Sequence, residues 1–282
     1  MSPRSRLKLA QAVLGFLSLT TLPTACQTRH SERDRPADSA PATQPKTQPA
    51  TPRQAQADAP PAPSQPPRAQ PDRTLSKQPA ERRTYHVAAL GDSITDEDVG
   101  GGGYLRFLRR ACPESRFYSF GKGGDMTNQM RRRLNGALLP ERDTLALDTL
   151  IVLGGVNDLY SNLTAGRTNA RIEQELSLIY QTAKQVGLRV VAITVLPWGG
   201  FTSYFTPARS ENTRALNSFI LGERQAGRID GAVDGYSLLS CGDPERLCPS
   251  YEKPRPDGLH PGPAGHEALG SALYQQVFAD CR

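Results

Sequence analysis

Several residue types that crowd binding faces are scarce in this chain. It has one tryptophan, three methionines and four histidines in 282 residues, and only 6% of it is aromatic. Any chemistry that needs an imidazole near neutral pH therefore has few residues to draw on. No apolar run reaches the roughly 20 residues that a membrane-spanning helix requires. An excess of one charge is also missing from most of the chain. The net charge is +6, but residues 1–83 hold 13 of the 34 Lys and Arg and only 6 of the 28 Asp and Glu. Residues 84–282 keep 21 and 22, close to neutrality. That balance suggests no basic nucleic-acid-binding face there, and "RRR" at Arg131–Arg133 reads as the solvated side of a helix, with a phosphate or glycan contact as the alternative. Nucleotide signatures are absent too. "GGGG" at residues 100–103 does not form a G-x-G-x-x-G turn between a strand and a helix, and "GKGG" lacks the Ser/Thr that a P-loop places after its lysine.

What is present divides the chain into three. Residues 1–26 read as a signal peptide: a basic start, then the short apolar stretch "LAQAVLGFLSLTTL", then "PTAC". Small residues before Cys26 resemble a bacterial lipoprotein cleavage site, which makes Cys26 the expected lipidation point. Secretory cleavage after Ala25 is the alternative, and either way the protein is expected to be exported. Residues 27–83 carry half of the 24 prolines and almost no aliphatic or aromatic side chain. Such a segment buries too little to offset the entropy of ordering it, so it reads as a disordered, partly polyproline II linker. A coil of that length reaches roughly 40 Å. Residues 84–282 are enough for one domain. If Cys26 carries lipid, four cysteines remain, which suggests two disulfides in an oxidising compartment. Cys241 and Cys248 bracket the turn-rich "GDPER". Cys112 and Cys281 would then tie the first helix to the C-terminus. A metal site from Cys241, Cys248, His260 and His266 fits no familiar zinc spacing.

Within 84–282, apolar runs alternate with helical patterns. Strands are expected at Tyr85–Leu90, Arg116–Phe120, Asp148–Gly154, Leu188–Leu196 and, weakly, within "GAVDGY". The clearest helix spans Asn169–Val186, with Ile172, Leu176, Ile179, Ala183 and Val186 on one face. Another ends at Gly136, and the last opens at Pro263. Near-continuous apolar strands alternating with helices predict an α/β fold, a three-layer α/β/α sandwich on a parallel sheet of about five strands. Ligands bind beyond the carboxyl ends of such strands. Gly91–Ser93, Gly121–Asp125 and Gly154–Asp158 each follow an expected strand and so share one rim.

Those loops carry suitable chemistry. Ser93 stands directly after the first strand, and a serine hydroxyl needs an adjacent base to act as a nucleophile. His30 lies in the linker and His86 inside the first strand. His266 falls within the last helix, where a surface position is expected. His260 lies on a Gly/Pro-punctuated loop, three residues after Asp257, a carboxylate able to hold its Nδ1 proton. "FGKGGDMTNQ" offers unobstructed glycine amides, Asn157 a side-chain amide, and Ser93 its own N–H, all donors for a developing oxyanion. The glycines at 100–103 read either as a mobile rim beside Ser93 or as a linker opening the next helix.

Taken in order, "GDSIT", "GKGGD", "GGVND" and "DGLHP" resemble the four blocks of the GDSL-type, or SGNH, serine hydrolases. The resemblance implies that fold and an ester hydrolase, with Ser93, His260 and Asp257 as catalytic triad. It implies an oxyanion hole from Ser93, Gly124 and Asn157, Gly124 being chosen over Gly123 as the glycine before Asp125. One departure is Ser119-Phe120-Gly121, where the family often has an asparagine. The implied chemistry needs no metal or cofactor. For substrate, a short acyl group, acetyl above all, on a carbohydrate is expected, with a lipid ester or thioester as the rival. An inactive, tethered glycan-binding module is the alternative of another class. Trp198, Phe201 and Tyr204, on the loop after the fourth strand, are candidate substrate-binding rings, with packing of that loop as the plain alternative. The expected partners are an acylated small molecule or polysaccharide, and a membrane through Cys26; no nucleic acid is expected.

Overall fold

Strand β1 (His86–Gly91) is buried from Val87 onward, and its side chains part to two separate cores. Ala88 and Leu90 point into one, Val87 and Ala89 into the other. This is the period-two alternation of a strand covered on both faces. The structure, a computed structural model, describes residues 82–282. The leader, Cys26 and the linker up to residue 81 lie outside the described residues. Arg83, assigned to the linker, already pairs with Cys281 in a parallel bridge.

The chain continues through α1 (Gly103–Ala111), β2 (Arg116–Gly121), α2 (Thr127–Arg133), β3 (Thr149–Leu153), α3 (Val156–Tyr160) and α4 (Asn162–Ala165). Then come α5 (Asn169–Gln185), β4 (Arg189–Ile193), α6 (Pro207–Gln225), β5 (Gly231–Val233) and α7 (Gly235–Leu239). A short antiparallel pair, β6 (Ser240–Cys241) and β7 (Asp243–Leu247), precedes α8 (Pro249–Glu252) and α9 (Pro263–Val277).

The main sheet has five strands in the order β2-β1-β3-β4-β5, all parallel. One core packs α2, α3, α5 and α6 on the sheet; the other packs α1 and α9. This is the expected three-layer sandwich. β2 is added on one side of β1 and β3 to β5 on the other, so the strand order reverses between β1 and β3, and that switch point opens a crevice at the carboxyl ends. Gly91 is level with Gly121 and with Leu153, so three strand-end loops meet there. Both disulfides form as expected, Cys112–Cys281 and Cys241–Cys248. The second takes up both cysteines of the alternative metal reading.

Helix α2 departs from expectation. It does not stop at Gly136 but widens into a π turn over Leu134–Leu138. Leu134 and Leu138 are both fully buried, and their burial outweighs the glycine's preference for ending the helix.

Candidate active site

Beyond β1 the backbone folds into a tight turn. The N–H groups of Thr95 and Asp96 donate to the Asp92 carbonyl at 3.1 and 3.0 Å. The Asp92 carboxylate accepts the Ile94 N–H at 3.0 Å. Asp92 is wholly buried, and burial pushes its carboxyl up to about 6 even though the Ile94 N–H favours the anion. Ser93 is left half-buried at the apex.

Ser93 Oγ lies 2.8 Å from His260 Nε2. His260 Nδ1 lies 2.7 Å from Asp257 Oδ2. An ionised carboxylate can only accept, so Nδ1 carries the proton and Nε2 turns its lone pair to the serine. Burial works against the Asp257 anion. The His260 N–H, the imidazole and the Leu259 N–H outweigh it and hold the carboxyl below its ordinary range. Those two backbone donors sit 2.8 and 2.9 Å from Oδ1. The loop reaches Ser93 because Gly258 lies flush on Gly200: a Cβ at 258 would fall 1.9 Å from the Gly200 carbonyl carbon.

Opposite lies the loop after β2. Gly123 N–H donates to Asp96 Oδ2 at 2.8 Å, so it is occupied. Gly124 has φ +78, a conformation suited to glycine, and its N–H has no acceptor among the described residues. Asn157 is buried and gives one amide N–H to the Asp125 carbonyl at 2.9 Å. Its second N–H remains.

Two buried ion pairs brace these donors. Arg133 contacts the Asp125 carboxylate at 2.7 Å, donates to Gly91 O at 2.9 Å and also reaches Phe120 O. The expectation of a solvated "RRR" face is thus corrected at Arg133, which is mostly buried, while Arg131 pairs with Glu175. The signal was in the spacing: Arg133 follows Met130 by three residues and precedes Leu134, both buried. Asp158 accepts Thr127 N–H at 2.8 Å and Arg167 Nε at 2.7 Å, locking Asn157's helix to the start of α2. Burial raises the Asp158 carboxyl, against the opposing pull of Thr127 and Arg167. Of these supports the four sequence blocks mark only Asp125, as a letter of "GKGGD", and Asp158, as a letter of "GGVND".

A cleft of about 550 Å³ opens beside Ser93 and His260, between the 94–101 segment, α1 and residues 252–266. Gly100 and Gly101 line it, whereas Gly102 caps α1 and Gly103 opens it. The glycine run therefore serves both rim and helix start. His266, expected at the surface, is 4% exposed and also lines the cleft. Burial, with Arg106 and His260 nearby, pulls its imidazole down to about 4, so it stays neutral. Trp198 is a second correction. It is fully buried, with Nε1–H donating to Thr213 Oγ1 at 3.0 Å and its ring set edge-on to Phe205. Phe201 and Tyr204 stack at 4.8 Å and adjoin Tyr160. None of the three candidate rings lines the cleft; the plain reading of a packed loop holds for Trp198, whose polar atom is satisfied inside the protein.

Comparison with solved structures returns the same architecture. A lipase/acylhydrolase from Enterococcus faecalis is 20% identical, with a TM-score of 0.56 over 71% of this chain and 98% of its own. A GDSL-like lipase from Bacteroides thetaiotaomicron is 22% identical, with 0.52 over 67% and 85%. A catalytic mutant of an acetylxylan esterase from Geobacillus stearothermophilus is 16% identical, with 0.55 over 71% and 99%. At such identities the likeness carries the fold alone. No curated protein matches the sequence. The family model of GDSL-like lipases and acylhydrolases matches residues 89–268, most of the described chain. That span runs from within β1 into α9, and on it the chain belongs to the GDSL-like lipase/acylhydrolase family, a family of carboxylic ester hydrolases.

Proposed function

We propose that this chain is an exported serine esterase that removes short acyl groups, acetyl above all, from carbohydrate. The observation that carries this reading is the unbroken relay of Ser93 Oγ, His260 Nε2, His260 Nδ1 and Asp257 Oδ2, with both contacts under 3 Å. Ser93 attacks the ester carbonyl while His260 takes its proton, and Asp257 stabilises the imidazolium. The oxyanion is held by the N–H groups of Ser93 and Gly124 and the amide of Asn157. His260 returns the proton to the departing alcohol. A water then attacks the acyl-serine with His260 again as base, releasing the acid.

Export rests on the residue pattern of 1–26, with Cys26 as membrane anchor and residues 27–83 as tether. The acetyl-carbohydrate reading is supported by structural neighbours described as acetyl xylan esterases. A fluorophosphonate probe tests the chemistry: the wild-type protein is expected to label at Ser93. Ser93→Ala and His260→Ala are each expected to lower p-nitrophenyl acetate hydrolysis by about four orders of magnitude or more. Labelling that survives Ser93→Ala would overturn the reading. A p-nitrophenyl series from acetate to palmitate, expected to peak at acetate, tests the acyl length; a peak at long chains would favour the lipid substrate.

A further inference from the structure

Helix α6 turns a polar stripe into the core. Thr213 and Asn217 lie four residues apart and so share a face. They are 0% and 6% exposed, beside the buried Leu216 and Ile220. Core-facing helix positions are ordinarily apolar, and a polar group buried there costs free energy unless it is hydrogen-bonded. Both residues are bonded, and both to the segment that leaves β4. Asn217 Oδ1 accepts the Val195 N–H at 2.8 Å, and Asn217 Nδ2 donates to the Val195 carbonyl at 3.0 Å. Thr213 donates its hydroxyl proton to the Arg209 carbonyl at 2.7 Å, which leaves a lone pair for the Trp198 Nε1–H at 3.0 Å. Aliphatic residues would fill the same space without burying a polar group. What the directional bonds add is a fixed course for residues 195–198.

That course ends against the loop that carries His260. Two residues after Trp198, Gly200 meets Gly258 so closely that a Cβ on Gly200 would fall 2.6 Å from the Gly258 Cα. Gly258 sits between Asp257 and Leu259, and Leu259 is buried in the same core as Trp198. Residues 257–260 are bonded to one another: Asp257 accepts the N–H groups of Leu259 and His260 and the Nδ1 proton of the imidazole. A loop tied in this way moves as a body. A shift at Gly200 therefore leaves the Asp257–His260 pair whole and changes the reach from His260 Nε2 to Ser93 Oγ, which stands at 2.8 Å. We propose that Thr213 and Asn217 set that reach, acting through Trp198 and the Gly200–Gly258 contact. Neither touches a reacting atom; both are positioning residues.

This assignment rests on the esterase reading, so the test separates the two. Trp198 is the one tryptophan of the chain, and its fluorescence reports on this segment alone. Thr213→Val keeps the shape of the side chain and removes the acceptor, Thr213→Ser keeps the hydroxyl, and Asn217→Leu frees both Val195 groups. Gly200→Ala wedges the contact and leaves α6 intact. Gly200 is only half-buried, so its variant keeps the test readable should the α6 variants fail to fold. Rates of p-nitrophenyl acetate hydrolysis are referred to sites titrated with a fluorophosphonate, so that unfolded protein is not counted. Misplacing a reacting group by about 1 Å can cost roughly a hundred-fold. Thr213→Val and Asn217→Leu are each expected to lower kcat about ten-fold with KM little changed, and to raise acrylamide quenching of Trp198. Thr213→Ser should restore both. Gly200→Ala should lower kcat about ten-fold or more, with quenching close to that of the wild type. Loss of stability with kcat per titrated site intact in Thr213→Val and Gly200→Ala would overturn the positioning role alone. A fall in kcat for Thr213→Val without a change at Trp198 would do the same. Wild-type protein that neither labels nor hydrolyses the ester would sink the esterase reading and the positioning role with it.

Discussion

Asp96 decides which glycine amide is available to the proposed oxyanion hole. Its Oδ2 engages the Gly123 N–H and its Oδ1 the Asp98 N–H, at 2.8 and 3.0 Å. The peptide plane between Gly123 and Gly124 is thereby fixed, and the Gly124 N–H is left without an acceptor among the described residues. Asp96 touches no reacting atom in this picture; it is a positioning residue. Losing an oxyanion donor outright costs roughly 10²–10³ in kcat, and a donor merely loosened should cost less. Asp96→Ala is expected to lower kcat for p-nitrophenyl acetate about ten-fold with KM little changed. Affinity for a phenylboronic acid, which mimics the tetrahedral state, should fall in step with kcat. Asp96→Asn keeps one acceptor and should recover part of both. A fall in KM-dependent binding with kcat intact would refute the assignment. Ser93, His260 and Asp257 stood out from short local patterns, because each lies at a strand end or on a punctuated loop. The choice between Gly123 and Gly124 turns on a side chain 27 residues away, and no local pattern carries that. His266 and Trp198 were misplaced for a related reason. Whether a ring is buried depends on what packs over it, here α1 against α9 for one and Thr213 of α6 for the other.

Helix α2 works as a bracket between the sheet and the loop after β2, the proposed oxyanion loop. Its N-terminus is held to α3 through Thr127 and Asp158, and its C-terminal Arg133 reaches back to the ends of β1 and β2 and to Asp125. Three loops that meet at one rim are thus fixed by one short helix. The strand–helix alternation was legible because buried parallel strands are apolar throughout and the helix faces keep their period. The π turn at Leu134–Leu138 was not, because it reflects two leucines reaching one core past a glycine. Arg133 was read as surface because a run of three arginines has no spacing of its own; only its place beside Met130 and Leu134 reveals the buried stripe. Arg133→Met keeps the stem but strands the Asp125 carboxylate, which is only 8% exposed. Breaking a buried pair this way costs about 3 kcal/mol or more. The variant should lose that much in urea unfolding and, where still folded, show reduced kcat. Arg133→Lys supplies the charge but not the fork that spans Asp125 and two carbonyls, so it should fall between. Equal stability of wild type and Arg133→Met would remove the bracket.

At the scale of the molecule, the cleft depends on a helix pair drawn from opposite ends of the domain. Helix α1 follows the first strand and α9 closes the chain, yet the two form one layer and jointly bound the cleft. Cys112, just after α1, is joined to Cys281, and Arg83 bridges to the same residue. The start of the domain, the end of α1 and the C-terminus are thus tied at one point. A cross-link stabilises chiefly by shrinking the unfolded ensemble, more so for longer loops. Cys112–Cys281 spans a separation of 169 residues and Cys241–Cys248 only 7. Loop-closure entropy then assigns about 5 kcal/mol to the first and roughly 2.5 to the second. Paired Cys112→Ser and Cys281→Ser substitutions should lower the melting temperature by about 10–20 °C. The matching pair at 241 and 248 should lower it by about half as much. The two pairs should also differ in what they do to function. Loosening α1 from α9 widens the cleft, so the first pair should raise KM for an acetylated oligosaccharide well before the protein unfolds. The second pair sits in the β6–β7 hairpin, where the loss should register in stability alone. If both pairs cost the same stability, the loop-length account of these bonds fails. If KM is indifferent to the first, the α1–α9 layer does not set the shape of the cleft.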